Sequence, residues 1–236
     1  MVEILFVHGA LVCDGDWWWQ RVAQQVQDAT GVRSRAVALP SCGEGAEAGS
    51  AGLVEDAAAL QAALDSVDEA VVVGHSYGGT VIAEGADHPA ARHLVLISSY
   101  LPDAGQSQGS IMSGETDPVS IAPNEDGTLA VAGYTPETFG ARFWQDLDDP
   151  DVRAGAWERI TPQSIAAFGT ATTRAAWQGR PSTAIVCAED RSTSVALQRF
   201  HAARATRVVE LPTGHHPFLS RPDLVTEQLV EVLRAV

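Results

Sequence analysis

Six short β-branched runs, at positions 3–7, 35–39, 70–73, 93–97, 183–187 and 207–211, recur between longer segments with helical periodicity. This alternation restricts the fold more than any other feature. Near-continuous apolar strands of this kind belong to a parallel sheet covered on both faces. The spacing predicts helices over 17–28, 53–66, 77–87, 194–203 and 223–235, the last started by Pro222. The expected fold is α/β, a doubly wound, mostly parallel sheet. One region breaks the rhythm. Positions 106–179 contain no strand-like apolar run but many Gly, Pro and acidic residues, interspersed with Phe143, Trp144, Trp157, Phe168 and Trp177. So long a structureless loop is improbable in a compact domain, and the aromatics need something to bury against. The segment is therefore read as an inserted helical cap, splitting the core into 1–105 and 180–236.

A chain of 236 residues with 45% hydrophobic content can bury one full α/β core with an insertion. Fifteen Lys and Arg against 30 Asp and Glu give a net charge of −15, which repels a phosphate backbone, so nucleic acid is not an expected partner. The first seven residues carry no basic segment and are too short for a signal peptide. Nor is any apolar run long enough for a membrane span. Cys13, Cys42 and Cys187 stand at unrelated spacings that fit neither a disulfide framework nor a zinc site, and a reducing, cytoplasmic setting is expected.

After the run at 70–73 comes Gly74-His75-Ser76-Tyr77-Gly78-Gly79, followed by the helical Thr80, Val81, Ile82 and Ala83. Strand before and helix after make this G-x-S-x-G a nucleophile elbow, in which small residues let strand and helix pack closely and push Ser76 into the open. A serine hydroxyl needs a histidine base and a carboxylate to orient it, arriving later in the chain as acid and then histidine. Asp190 ends the run at 183–187, and His215 and His216 follow the run at 207–211. Asp190 has two rivals in Glu189 and Asp103, and an acid at a strand end can be only a helix cap. Adjacent His215 and His216 can also be read as metal ligands, but neighbouring residues rarely point to one centre and no further ligand lies at a suitable spacing, so no metal is expected. His88, His93 and His201 are expected at the surface or in structural roles. After the first run, His8-Gly9-Ala10 lets the backbone turn inward, so the amides of Ala10 and Tyr77 would aim at a developing oxyanion. His8 is expected to hydrogen-bond structurally. Trp17, Trp18 and Trp19 are expected as core and pocket-wall residues.

These passages together resemble the plant methylesterase and hydroxynitrile lyase group of α/β-hydrolases, and more closely that group's small bacterial relatives. The resemblance spans nearly the whole chain. It is carried by H-G-A with its Trp cluster (8–19), G-H-S-Y-G-G (74–79), H-L-V-L-I-S-S-Y-L-P-D-A-G-Q-S (93–107), C-A-E-D (187–190) and G-H-H-P-F-L-S-R-P (214–222). It implies a Ser76, Asp190, His215 triad, oxyanion donors at Ala10 and Tyr77, and a helical cap over an apolar pocket. It also selects His215 over His216, because relatives usually place the catalytic histidine seven positions before the proline that starts the last helix. In the lyases the residue after the first histidine is commonly threonine, and a lysine follows the catalytic histidine to hold the departing cyanide. Here those places hold Gly9 and His216, so the lyase equipment is missing.

The expected function is hydrolysis of small carboxylic esters with a hydrophobic or aryl part through an acyl-enzyme, without a cofactor. Gly9, Trp144, Trp157 and Phe168 are candidate pocket residues. A small-molecule ester is the expected partner, with no membrane, and a homodimer is left open. A lactonase, a hydroxynitrile-lyase-like C–C lyase and a non-catalytic small-molecule receptor are alternatives that the fold alone does not separate.

Overall fold

The computed structural model describes residues 1–47 and 49–236. In chain order the core opens with β1 (Val2–Val7), α1 (Gly15–Thr30), β2 (Ser34–Ala36), a 3₁₀ turn (Pro40–Cys42), α2 (Leu53–Asp65), β3 (Glu69–His75), α3 (Gly78–Gly85) and β4 (Ala91–Ile97). The segment 106–179 then supplies α4 (Gln108–Met112), β5 (Ile121–Pro123), β6 (Thr128–Val131), α5 (Pro136–Phe143), α6 (Pro150–Trp157), β7 (Gln163–Ser164) and α7 (Ile165–Gly169). The core resumes with β8 (Ser182–Cys187), α8 (Val195–Ala202), β9 (Arg207–Leu211), α9 (Pro217–Ser220) and α10 (Pro222–Ala235).

Six strands form one parallel sheet in the order β2-β1-β3-β4-β8-β9. Strand periodicity divides their side chains between two cores. Ile4, Phe6, Val71 and Val73 face one core, covered by Trp18, Trp19, Val22 and Val26 of α1 and by Val225 and Leu229 of α10. Leu5, Val7 and Val72 face the other, covered by Leu53, Leu60 and Leu64 of α2 and by Val81 and Ile82 of α3. The expected run at 35–39 pairs as a strand only over Ser34–Ala36, because Pro40 opens the 3₁₀ turn directly after Leu39.

The segment 106–179 differs from its sequence reading in one respect. Besides four short helices it holds a three-stranded antiparallel sheet, β5-β6-β7. These strands run for two to four residues, too few for alternation to register as a pattern. Among the described residues no helix is long and apolar enough to cross a membrane.

The α3 N-terminus lies hard against β1. A Cβ on Gly78 would stand 2.5 Å from the Val7 carbonyl oxygen and 3.1 Å from that of His8. Gly78→Ala is therefore expected to cost ~1–3 kcal/mol of stability through overpacking, read as a lower Tm. An unchanged Tm would mean that α3 can shift outward freely.

Candidate active site

The carboxyl ends of β1, β3, β4, β8 and β9 meet around one cavity of about 300 Å³. Open parallel sheets place ligands at this edge. At the end of β3 the chain turns sharply into α3, and Ser76 takes a left-handed φ of 49°. For a non-glycine residue this costs ~1–3 kcal/mol and persists only where its surroundings hold it. They do: its N–H donates to Ile97 O at 3.2 Å, and its carbonyl accepts from Ser99 Oγ at 2.5 Å and Gly79 N at 3.1 Å. Ser76 lines the cavity together with Gly9, Ala10, His75, His215 and His216.

Asp190 is buried at the end of β8. Its Oδ2 lies 2.7 Å from His215 Nδ1 and accepts from Ser98 Oγ at 2.5 Å and Gln198 Nε2 at 2.9 Å. Its Oδ1 accepts the main-chain amides of Ser192 at 2.7 Å and Thr193 at 3.0 Å. Burial pushes the Asp190 carboxyl up, but the His215 ring beside it and the donated hydrogen bonds outweigh burial and hold it below the usual range. Both rivals are placed elsewhere. Glu189 is exposed, and Asp103 pairs with Arg204 at 2.9 Å. Capping of α8 falls to Ser194, which accepts from Leu197 N.

The loop carrying His215 is fixed from the 106–179 segment. Asp146 Oδ2 accepts Gly214 N and Ser220 Oγ, each at 2.7 Å, and Gln145 Nε2 donates to Glu189 O at 2.8 Å. Among the described residues no hydrogen bond joins Ser76 Oγ to His215. Such contacts are commonly long without substrate and tighten in the complex.

His216 does not point away from its neighbour, as adjacency suggested; the loop leaves regular strand geometry, and both rings face the cavity beside His75. Ring centroids are 4.6 Å apart for His75 and His215, 4.8 Å for His75 and His216, and 4.9 Å for His215 and His216. His75 Nε2 lies 2.9 Å from His215 O, while His216 Nδ1 lies 3.3 Å from Phe143 O and its ring stacks on Trp18. Burial, and then repulsion from His215, hold His75 and His216 far below the ordinary histidine range, so both are neutral at pH 7. Each of the three rings offers one nitrogen, and these nitrogens all lie within 4.8 Å of one another, so the fold gathers three histidines where the adjacency of His215 and His216 had suggested divergence.

Of the candidate pocket residues, Gly9 and Phe168 line the cavity, and a Cβ on Gly9 would lie 2.8 Å from His75 Nδ1. Trp144 and Trp157 do not line it. Trp144 is 1% exposed and packs behind the wall, its ring 5.1 Å from Phe139, and Trp157 packs on the same ring at 5.6 Å. Phe139 and Phe143, stacked at 4.0 Å, form the wall itself. The remaining lining is mostly apolar and includes Leu11, Val12, Met112 and Ile160. His8 Nε2 lies 2.9 Å from Glu44 Oε2 and takes no part in the cavity wall. Ser98 was not legible as a site residue, although its φ of 43° marks a second constrained turn, at the end of β4.

Residues 4–228 match the family model described as the alpha/beta hydrolase family. The chain is 27% identical over 196 residues to alpha/beta hydrolase nvfD of Aspergillus novofumigatus, covering 74% of this chain and 76% of that one. It is 24% identical over 270 residues to methylesterase 8 of Arabidopsis thaliana, covering 98% and 89%. The solved pyrethroid hydrolase from Sphingobium faniae JZ-2 superposes with a TM-score of 0.80 at 23% identity, covering 98% of this chain and 97% of that one. With its sheet order, its serine turn and this match over nearly its whole length, the chain belongs to the α/β hydrolase family.

Proposed function

We propose that the protein hydrolyses small carboxylic esters with a hydrophobic or aryl part, using Ser76 as nucleophile, His215 as base and Asp190 as the group that orients His215. The observation that carries this reading is the buried Asp190–His215 pair, 2.7 Å apart, at a cavity whose floor holds Ser76 in a left-handed turn. Ser76 Oγ attacks the ester carbonyl carbon as its proton passes to His215 Nε2, and the carbonyl electron pair moves onto oxygen. The amides of Ala10 and Tyr77 stabilise that oxyanion, each worth a few kcal/mol of barrier. Among the described residues neither amide donates to another acceptor. Collapse expels the alkoxide, which takes the proton from His215. Water, deprotonated by His215, then releases the acid and restores Ser76.

The mostly apolar lining favours a hydrophobic acyl or alcohol part. The names methylesterase and pyrethroid hydrolase among its relatives point to ester chemistry as well. The test is fluorophosphonate labelling of Ser76, followed by p-nitrophenyl esters of graded acyl length against intact lactones. Absence of Ser76 labelling, or turnover of lactones alone, would overturn the ester assignment.

The lyase alternative makes a separate demand. Departing cyanide needs a cation beside the base, and the place after His215 holds the neutral, buried His216. Benzaldehyde release from mandelonitrile is expected near the no-enzyme background. Ser76-dependent release comparable to ester turnover would favour the lyase.

A further inference from the structure

The oxyanion side of the cavity is backed by a buried polar chain that the proton transfers do not use. Asp56 of α2 has no exposed surface and accepts three hydrogen bonds: from Tyr77 Oη at 2.7 Å, Ser41 Oγ at 2.6 Å and Ser41 N at 2.9 Å. Ser41 Oγ accepts from Gln163 Nε2 at 2.9 Å, and Gln163 Oε1 accepts from Leu11 N at 2.9 Å. The direction of this chain is unambiguous. An amide N–H at Leu11 requires the Gln163 oxygen, which turns the Gln163 NH₂ toward Ser41 and leaves the Ser41 proton for the carboxylate.

The two ends fall at particular places. Tyr77 directly follows Ser76. Leu11 directly follows Ala10 and is held at a left-handed φ of 61°. Packing alone gives no reason for a carboxylate here, since an apolar group of similar volume would be about as stable as a buried charge. A fixed set of hydrogen bonds does what apolar packing cannot, which is to set the aim of a main-chain amide. We propose that Asp56, directly through Tyr77 and indirectly through Ser41 and Gln163, is the positioning centre that holds both halves of the oxyanion hole in register. The proposal rests on the hydrolase reading above. Because Gln163 belongs to β7, it also couples the 106–179 segment to the aim of the Ala10 amide.

The experiment compares Tyr77→Phe, Gln163→Leu and Asp56→Asn with the parent and with Ser76→Ala. It measures Tm, kcat and KM for a p-nitrophenyl ester, and Ki for an aryl trifluoromethyl ketone. Ser76 Oγ adds to the ketone carbon, its proton passes to His215, and the carbonyl pair becomes an alkoxide in the hole. Each positioning variant is expected to lose about tenfold or more in kcat with KM little changed, and to bind the ketone more weakly by the factor lost in kcat/KM. Folded Tyr77→Phe and Gln163→Leu variants with kcat within about twofold of the parent would overturn the proposal. A lowered Tm with unchanged ketone Ki would do the same, since it marks a merely structural network. If Asp56→Asn does not fold, the other two variants decide. An inert Ser76→Ala beside unaffected positioning variants removes this proposal alone, whereas an active Ser76→Ala removes the hydrolase reading and this proposal with it.

Discussion

Replacing Ser76 by alanine is expected to lower ester turnover by on the order of 10⁴-fold or more, because a nucleophile, its base and its orienting acid act as one unit. The fold should survive. Ser76 is held through its main chain, by Ile97 O, Ser99 Oγ and Gly79 N, and the side chain supplies none of those bonds. Turnover and circular dichroism are measured on the same preparation. A variant keeping more than about a tenth of the parent rate would take Ser76 out of the mechanism.

The second large effect separates the adjacent histidines. His215→Ala is expected to cost on the order of 10³-fold or more in kcat, because only His215 meets Asp190, at 2.7 Å. His216→Ala removes a ring that stacks on Trp18 and lies 3.3 Å from Phe143 O. Its expected result is a lowered Tm and a modest change in KM, since the ring borders the cavity. If the His216 variant loses the larger share of kcat, the base is misassigned.

How much of this was legible in the sequence depends on how local each signal is. All six core strands and five of the six core helices could be read from apolar periodicity, the exception being the four-residue α9, and G-H-S-Y-G-G could be placed between a strand and a helix. The short strands Ile121–Pro123, Thr128–Val131 and Gln163–Ser164 could not. They are paired by neighbours as far away as Thr128 and Ser164, and no pattern of their own marks them. The pocket aromatics failed for a related reason. Trp144 and Trp157 look as apt for a wall as Phe139 and Phe143, and which ring faces the cavity is decided by how α5 and α6 settle on the core.

The sequence by itself determined the parallel sheet and the turn that exposes Ser76, because each follows from residue type and spacing along a few turns of chain. Only the tertiary structure set Asp190, rather than Glu189 or Asp103, against His215, turned His216 into the cavity, and joined Asp56 to Leu11 across 45 positions through Ser41 and Gln163. The physical reason is that burial and hydrogen bonding select one carboxylate over another by what surrounds it in space. Those surroundings come from strands and segments far apart in the chain.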